Sequence, residues 1–341
     1  MARKTANRRV GITDVAQRAG VSLASVSRVM NDNFSVDPDI AARVRAAAAE
    51  LNYHPNAVGR SLALGKTDTI GIVVPDLANP TFQGMLRGVS RAAAQDGYRV
   101  LIADSSEVSS EESILAGEAR RRCDGVVLCA PRMNEAELEA LLPSLQPLVL
   151  INRSTADIQT PSLVVDYGQG IQDLAAHLVE LGHTRLVFLA GPERSAGNQA
   201  RLQGLDKFRV DHPEVELTTL AAGSSFEAGH VSAEAVLATG ATGVLAFNDL
   251  VAMGLLSGLH ERGIDVPGDI SVTGFDDIPF ANYTTPPLTT AAVAINDIGE
   301  QAWHELRQLL GDGDPEPAHT TFQPELKRRG STGRVKKSTL S

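Results

Sequence analysis

The sequence predicts a small all-α head, residues 1–55, followed by an α/β body of two doubly wound parallel-sheet lobes. Three observations lead there. The first 66 residues carry ten Lys/Arg against five Asp/Glu, a charge of +5. The other 21 basic and 36 acidic residues give −15, so the overall −10 hides a basic head on an acidic body. The head reads as helix-length segments bounded by caps and a glycine, with no strand pattern. From Ile70 onward short apolar runs alternate with longer helical patterns, the mark of parallel sheets with helices on both faces.

Length and composition set the bounds. A chain of 341 residues holds two or three domains, and 43% apolar residues is enough for real cores. The longest apolar runs are strand-sized, such as Leu148 to Ile151, and none reaches the roughly 18 residues of a membrane span. The opening MARKTANRRVG is basic with no apolar core behind it, unlike a secretory signal, so a cytoplasmic setting is expected. Two cysteines, Cys123 and Cys129, form neither a C-x-x-C pair nor a metal-ligand spacing. No metal and no cofactor are expected.

In the head, a first helix runs from Asp14 to Ala19 with Thr13 as its N-cap, and Gly20 breaks it. Ser22 caps a second helix, Leu23 to Asn31. A third starts at Asp37-Pro38, a cap followed by proline in the first turn, and runs to Leu51. Helix, glycine turn and helix make a helix-turn-helix. At about 100° per residue, Val26, Val29 and Met30 share one face of the second helix. Ala24, Ser27, Arg28 and Asn31 share the other, with Leu23 at its edge. The second face suits a major groove: Arg28 offers two parallel donors to a guanine edge, and Ser22, Ser27 and Asn31 suit phosphate oxygens.

Residues 56–67 read as a hinge helix and linker. Gly59 with Gly65-Lys66-Thr67 imitates a phosphate-binding loop, but five residues separate the glycines instead of four. The helix pattern also precedes the strand, the reverse of what phosphate binding needs. Asn56 to Leu64 is too short to be a stable isolated helix, and Gly59 weakens it further. Val58 and Leu62, four residues apart, share one face. Two copies paired through Val58 can each push an apolar wedge into a minor groove.

The body, residues 68–330, alternates strand and helix. Strands are read at Ile70–Val74, Arg99–Asp104, Gly125–Leu128, Leu148–Ile151, Leu163–Asp166, Arg185–Ala190, Leu217–Ala221, Gly243–Phe247 and Ile270–Phe275. Helices lie between them, one of them a single helix over Phe226–Thr239, and a late helix from Asp297 to Leu310 carries Trp303 into the core. In such folds ligands bind beyond the carboxyl ends of strands. Asp76, Asn79, Asp104, Asn152, Arg153, Asn248, Asp249, Asp276 and Asp277 follow apolar runs directly or closely. His177, His183 and His260 read as helix-end or surface residues. The basic tail, 331–341, reads as disordered. No dinucleotide, nucleophile-elbow or zinc-protease motif occurs, which speaks against an α/β sugar-handling enzyme.

The stretches "ITDVAQRAGVSLASVSRVMN", "VRAAAAELNYHPNAVGRSLALGKT" and "IGIVVPDLANPTF" resemble the LacI/GalR family of bacterial transcription repressors, and the similarity runs from Ile12 to about Gly330. The resemblance implies that Leu23, Ala24 and Arg28 read bases, that Leu62 is the hinge wedge, and that Asn56 and Gly59 lie beside the minor groove. Gly59 departs from the alanine often found there. It implies a dimer on a near-palindromic double-stranded DNA operator. It further implies a periplasmic-binding-protein-like body with an N-lobe of about 68–160 and 292–325 and a C-lobe of about 161–291. Effector positions carried over by motif are Asn79, Phe82, Asp104 and Arg153, then Arg201 in "QARLQG", Phe226 in "SSFEAG", Asn248 and Asp249 in "FNDLVAMG", and Asp276 in "GFDD". Arginines and carboxylates grip neighbouring hydroxyls and rings pack on the apolar sugar face, so the expected effector is a monosaccharide or nucleoside. The rivals are a transport-type ligand receptor with no DNA role, which the head and the missing signal oppose, and an architectural protein indifferent to DNA sequence. No leucine heptads follow Gly330, so a dimer is expected over a tetramer.

Overall fold

The computed structural model describes residues 10–30, 36–53, 65–155, 159–311, 313 and 316–336. They fall into two compact units that meet between Thr67 and Asp68.

The first unit contains α1 (Ile12–Ala19), α2 (Leu23–Met30) and α3 (Pro38–Glu50). Helix α1 starts two residues earlier than expected. Gly11, not Thr13, is its N-cap, because the Asp14 carboxylate accepts the Gly11 N–H at 2.8 Å. Gly20 ends it at a φ of 64°, a backbone that a side chain would strain. Arg43 of α3 donates to the Ala19 and Gly20 carbonyls at that end. Ser22 accepts the Ser25 N–H and opens α2, while Asp37 accepts from Asp39 and Ile40 and opens α3. Val15, Val26, Val29 and Val44 close a core with four alanines. Helices this short are marginal alone and hold because they share that core.

The second unit has two sheets. The N-lobe sheet holds β1 (Thr69–Val74), β2 (Arg99–Asp104), β3 (Gly125–Cys129), β4 (Leu148–Ile151), β5 (Ser162–Val165) and β11 (His319–Phe322), in the order β11-β5-β4-β3-β1-β2, all parallel. The C-lobe sheet holds β6 (Arg185–Ala190), β7 (Glu216–Ala221), β8 (Gly243–Ala246), β9 (Ser271–Asp276), β10 (Thr289–Ala292) and β12 (Glu325–Lys327). Its order is β12-β10-β9-β8-β6-β7, parallel except where β12 meets β10. The first five strands of each lobe repeat one doubly wound order, so the strand ends of both sheets offer a switch-point crevice.

Helices α4 (Pro80–Gln95), α5 (Ser109–Arg122) and α6 (Glu135–Leu145) follow β1, β2 and β3. In the C-lobe come α7 (Tyr167–Glu180), α8 (Ala196–Asp211), α9 (Phe226–Val231), α10 (Ala233–Ala238) and α11 (Asp249–Glu261), and α12 (Ile295–Leu309) follows β10. The single helix expected over Phe226–Thr239 is two, with the break at Ser232, whose hydroxyl donates back to the Ala228 carbonyl. Central strands such as β1, β3 and β8 are buried on both faces and apolar; edge strand β2 instead leaves Leu101 and Ile102 exposed.

Three chain crossings join the lobes, and the first differs from the expected boundary. Strand β5 remains in the N-lobe sheet, so the first crossing lies between Val165 and Tyr167 and not near residue 160. The second follows Ala292. A third, between Phe322 and Glu325, returns β12 to the C-lobe sheet. After the second crossing α12 packs on α4 so closely that a Cβ on Gly88 would meet the Asn296 carbonyl, and one on Gly299 the Met85 carbonyl. Trp303 is fully buried there, donating to Asp96 at 2.8 Å and packing on Tyr98.

The tail also departs from expectation. Residues 331–336 lie on the C-lobe, held by hydrogen bonds of Ser331 with Pro287, Val272 and Thr289 and by Val335 N–H on the Leu181 carbonyl. His177 and His183 lie at or just past the end of α7, as expected, and are buried there because their rings reach this segment: His177 Nε2 bonds Thr332 and His183 Nε2 bonds the Gly333 carbonyl. His260 is exposed near a helix end, as expected. Among the described residues, no helix is long and apolar enough to cross a membrane.

Candidate functional site

In the head, α2 buries Val26 and Val29 and turns Leu23, Ala24 and Arg28 outward. Leu23 is 49% exposed at the first turn, an apolar group that nothing among the described residues covers. Ser27 is half-buried, and Ser22 is exposed and engaged in the cap of α2. Asn31, Asn56, Gly59 and Leu62 lie outside the described residues.

In the body, the carboxyl ends of the two sheets face each other across a cavity of about 40 Å³. Residues following every strand from β1 to β9 line it: Asn79, Thr81 and Phe82 after β1, Glu107 after β2, Arg132 after β3, Asn152 after β4 and Tyr167 after β5. From the C-lobe come Ser195, Gly197 and Arg201 after β6, Ser224 after β7, Phe247 and Asn248 after β8, and Asp276 at the end of β9. Three lining residues hold left-handed backbone, Ala130 at φ 42°, Asn152 at 53° and Asp276 at 104°. Each such conformation costs about 1–3 kcal/mol and persists only where its surroundings enforce it.

Arg201 is the centre of the charge arrangement. It is 2% exposed, and its guanidinium lies 4.1 Å from the Tyr167 ring centroid, 4.6 Å from Phe247 and 4.0 Å from Phe275. Nη1 donates to the Gly197 carbonyl, while Nε has no hydrogen-bond partner among the described residues. Burial pulls its pKa down, and Tyr167, Asp276 and Asp249 oppose that. A guanidinium starts so high that it stays charged. The Asp276 carboxylate accepts the Thr81 hydroxyl at 2.7 Å across the cleft, and burial pushes its pKa up to about 6 against the pull of Arg201 and Thr81. On the N-lobe side Arg132 binds Glu107 through two nitrogens, at 2.5 and 2.8 Å. Buried Glu112 accepts the Arg132 and Met133 N–H groups and fixes that turn.

A family model described as "Bacterial regulatory proteins, lacI family" matches residues 11–56, and one described as "Periplasmic binding protein-like domain" matches residues 175–332. The chain is 34% identical over 326 residues to the HTH-type transcriptional regulator GalR of Escherichia coli (strain K12), covering 94% of this chain and 95% of that protein. The chain belongs to the lacI family of bacterial regulatory proteins. It is a DNA-binding transcriptional regulator with a ligand-binding body. The structure is similar to that of the Lac repressor dimer bound to operator and the anti-inducer ONPF, with a TM-score of 0.84 and 28% identity over 96% of this chain and 100% of that one. It is also similar to a LacI-family regulator of Enterococcus faecalis V583 with bound ribose, with a TM-score of 0.72 and 26% identity over 79% of this chain and 100% of that one.

Within this lacI-family chain the expected effector residues separate. Asn79, Phe82, Arg201, Asn248 and Asp276 meet at the cavity. Asn79 and Asn248 are also N-caps, of α4 and α11, which locks their side chains. Arg153 is not at the central cavity but lines an adjoining chamber. Asp104 is exposed and ties its own loop to the one after β1, accepting the Ser106 and Leu77 N–H groups. Phe226 is 44% exposed at the start of α9, outside the cavity lining. Asp249 is wholly buried behind the site, accepting the Thr290 hydroxyl and the Ile278 N–H, and burial beside Asp276 pushes its pKa well up. It holds the turn that presents Asp276. Sequence reasoning missed Thr81, Glu107, Arg132 and Tyr167. Arg132 closely follows an apolar run in "LCAPR", the same signal that selected Arg153.

Proposed function

We propose that this lacI-family regulator is a homodimeric, cytoplasmic repressor of a near-palindromic operator, with no catalytic step, whose DNA affinity changes when a neutral sugar or nucleoside enters the inter-lobe cavity. The observation that carries the reading is that buried Arg201 and Asp276 line one cavity together with the rings of Phe82, Tyr167 and Phe247. A fixed cation and a carboxylate grip hydroxyls, and aromatic faces suit a ring's C–H groups. The ribose-bound relative supports a ligand of that kind.

A cavity of about 40 Å³ holds little more than water, so a ring enters only when the lobes part. Parting them breaks hydrogen bonds that tie the lobes, among them Thr81 to Asp276 and Arg194 to Ser109. A ligand with unequal affinity for the two lobe arrangements shifts their populations, and that shift is the signal the head receives. Exposed Leu101, Ile102 and Ile114 on the N-lobe, with Phe280 and Tyr283 on the C-lobe, support pairing of two copies. The Lac repressor relative, a dimer on its operator, supports the same assembly.

The test is selection of genomic fragments by the purified protein at about physiological salt, where non-specific binding is weak, with and without a pool of sugars and nucleosides. A shared near-palindrome whose recovery changes with the pool is expected. Recovery of unrelated fragments under both conditions would remove the repressor reading. A near-palindrome indifferent to every added ligand would remove the effector switch.

A further inference from the structure

We infer that the effector is an uncharged two-ring glycoside whose second ring, a hydroxylated one, occupies a chamber of about 480 Å³ beside the central cavity; the inference rests on the proposed role of the cleft and narrows its ligand.

The central cavity does not end at its own wall. Asn152, Tyr167 and Gly197 line both it and the larger chamber. Asn152 Nδ2 donates to the Tyr167 hydroxyl at 2.8 Å, so the partition is one hydrogen-bonded pair. Gly197 keeps the passage open, since a Cβ there would come 3.1 Å from the Tyr167 ring and 3.2 Å from Arg201 Nη1. A ring held by Arg201 and Asp276 therefore has beside it a space large enough for a substituent.

The lining of that space says what the substituent is. Arg153 and Glu135 project from the N-lobe side and Gln203 from the second turn of α8. None of these three side chains has a hydrogen bond or ion pair among the described residues. The floor is aliphatic, with Val165 and Ala200, and Tyr167 is the single aromatic. A purine or pyrimidine would call for stacked rings. Isolated donors and acceptors over an aliphatic floor suit hydroxyls and the C–H face of a second sugar.

Charge excludes a phosphorylated ligand. The linings of both spaces carry three guanidinium groups, Arg132, Arg153 and Arg201, and three carboxylates, Glu107, Glu135 and Asp276. A phosphate group would bring up to two negative charges into a lining with no surplus cation. A neutral disaccharide brings none.

The test measures binding to the full-length protein by calorimetry and thermal melting. The probes are lactose, maltose, cellobiose and trehalose, each beside its component monosaccharides, together with uridine and glucose 6-phosphate. At least one disaccharide is expected to bind about tenfold or more tighter than either component. Gln203→Phe, which fills the chamber from an exposed position, is expected to abolish that advantage and leave the monosaccharide constant unchanged. Arg153→Gln serves as the second variant, with its melting curve as the folding control. Disaccharide binding untouched by both variants would overturn the chamber. Uridine or glucose 6-phosphate as the tightest probe would overturn the ligand chemistry. Binding of monosaccharides alone would remove the second ring and keep the cleft reading, whereas no binding by any probe would remove both.

Discussion

Thr81 Oγ1 donates to Asp276 Oδ2 at 2.7 Å, a hydrogen bond that runs from the first turn of α4 in the N-lobe to the end of β9 in the C-lobe. The acceptor is a carboxylate whose burial has pushed its pKa up to about 6. Because the folded value lies above the ordinary one of 3.8, the stability this group contributes is full at low pH and is lost as pH rises through about 6. A ligand hydroxyl that donates to Asp276 favours the ionised form, so binding releases a proton near that pH. Effector affinity should therefore rise between about pH 5 and pH 7 and level off above, losing about tenfold for each unit below the midpoint. Calorimetry in buffers of different ionisation enthalpy reads the proton directly. Affinity flat across that range would show that Asp276 is not a ligand contact. Thr81→Val removes a donor that favours the carboxylate and should move the midpoint upward.

Arg201 couples to the same carboxylate. Replacing it with Leu removes the cation beside Asp276 and loosens the packing of three rings. At neutral pH the loss should exceed the packing component by about 1–2 kcal/mol, because the buried Asp276 carboxylate loses the nearby cation that favours its ionised form. Near pH 5, where Asp276 holds its proton, the loss should shrink to the packing component. Thermal melts of Arg201→Leu and the parent at both pH values make the comparison. An equal loss at both would mean that Arg201 stabilises the lobe through the rings alone.

The parts of this site that could be read from sequence are those fixed by the backbone. Asn79, Asn248 and Asp276 follow apolar strands at distances that any doubly wound sheet converts into a crevice, so alternation of strands and helices was enough to find them. What stayed hidden depended on side-chain direction. Asp104 and Asp249 follow strands just as closely, yet one carboxylate ties two neighbouring loops together and the other turns inward to Thr290. Polarity after a strand does not distinguish these outcomes. The tail failed for a different reason. Its composition is that of a disordered segment, but Ser331, Thr332 and Gly333 find unsatisfied groups on β9, β10 and α7 that no local pattern announces.

The head supports a prediction about reading and positioning. Arg28 is exposed on the face of α2 opposite Val26 and Val29, with Leu23 and Ala24 beside it. If it bonds a base edge, Arg28→Ala should cost about 1–3 kcal/mol on the operator and relax preference at one position, with a smaller loss on unrelated DNA. Binding titrations on operator and scrambled duplexes at one salt concentration separate the two. Equal losses on both would reduce Arg28 to a phosphate contact.

The docked tail supports the last prediction. Ser331 is fully buried; its hydroxyl donates to the Val272 carbonyl at 2.6 Å and accepts the Thr289 N–H at 2.8 Å, and its carbonyl accepts the Val272 N–H. Ending the chain at Gly330 strands those three backbone groups, at about 1–3 kcal/mol for each that water cannot reach. A clear drop in melting temperature is expected. The same contact should respond to acid. Burial holds His177 and His183 below the ordinary value of 6.5, with Arg328 adding to the effect at His177 and Glu180 opposing it. Depressed folded values mean that the undocked state takes up protons first. The stability contributed by the two rings is therefore complete above about pH 6.5 and declines as pH falls toward their folded values. Amide exchange of residues 331–336 should quicken on going from about pH 7.5 to pH 5.5 once the intrinsic pH dependence of exchange is divided out. Protection that holds constant over that range would show that the tail is retained by Ser331 and the Lys336–Asp269 pair without help from the histidines.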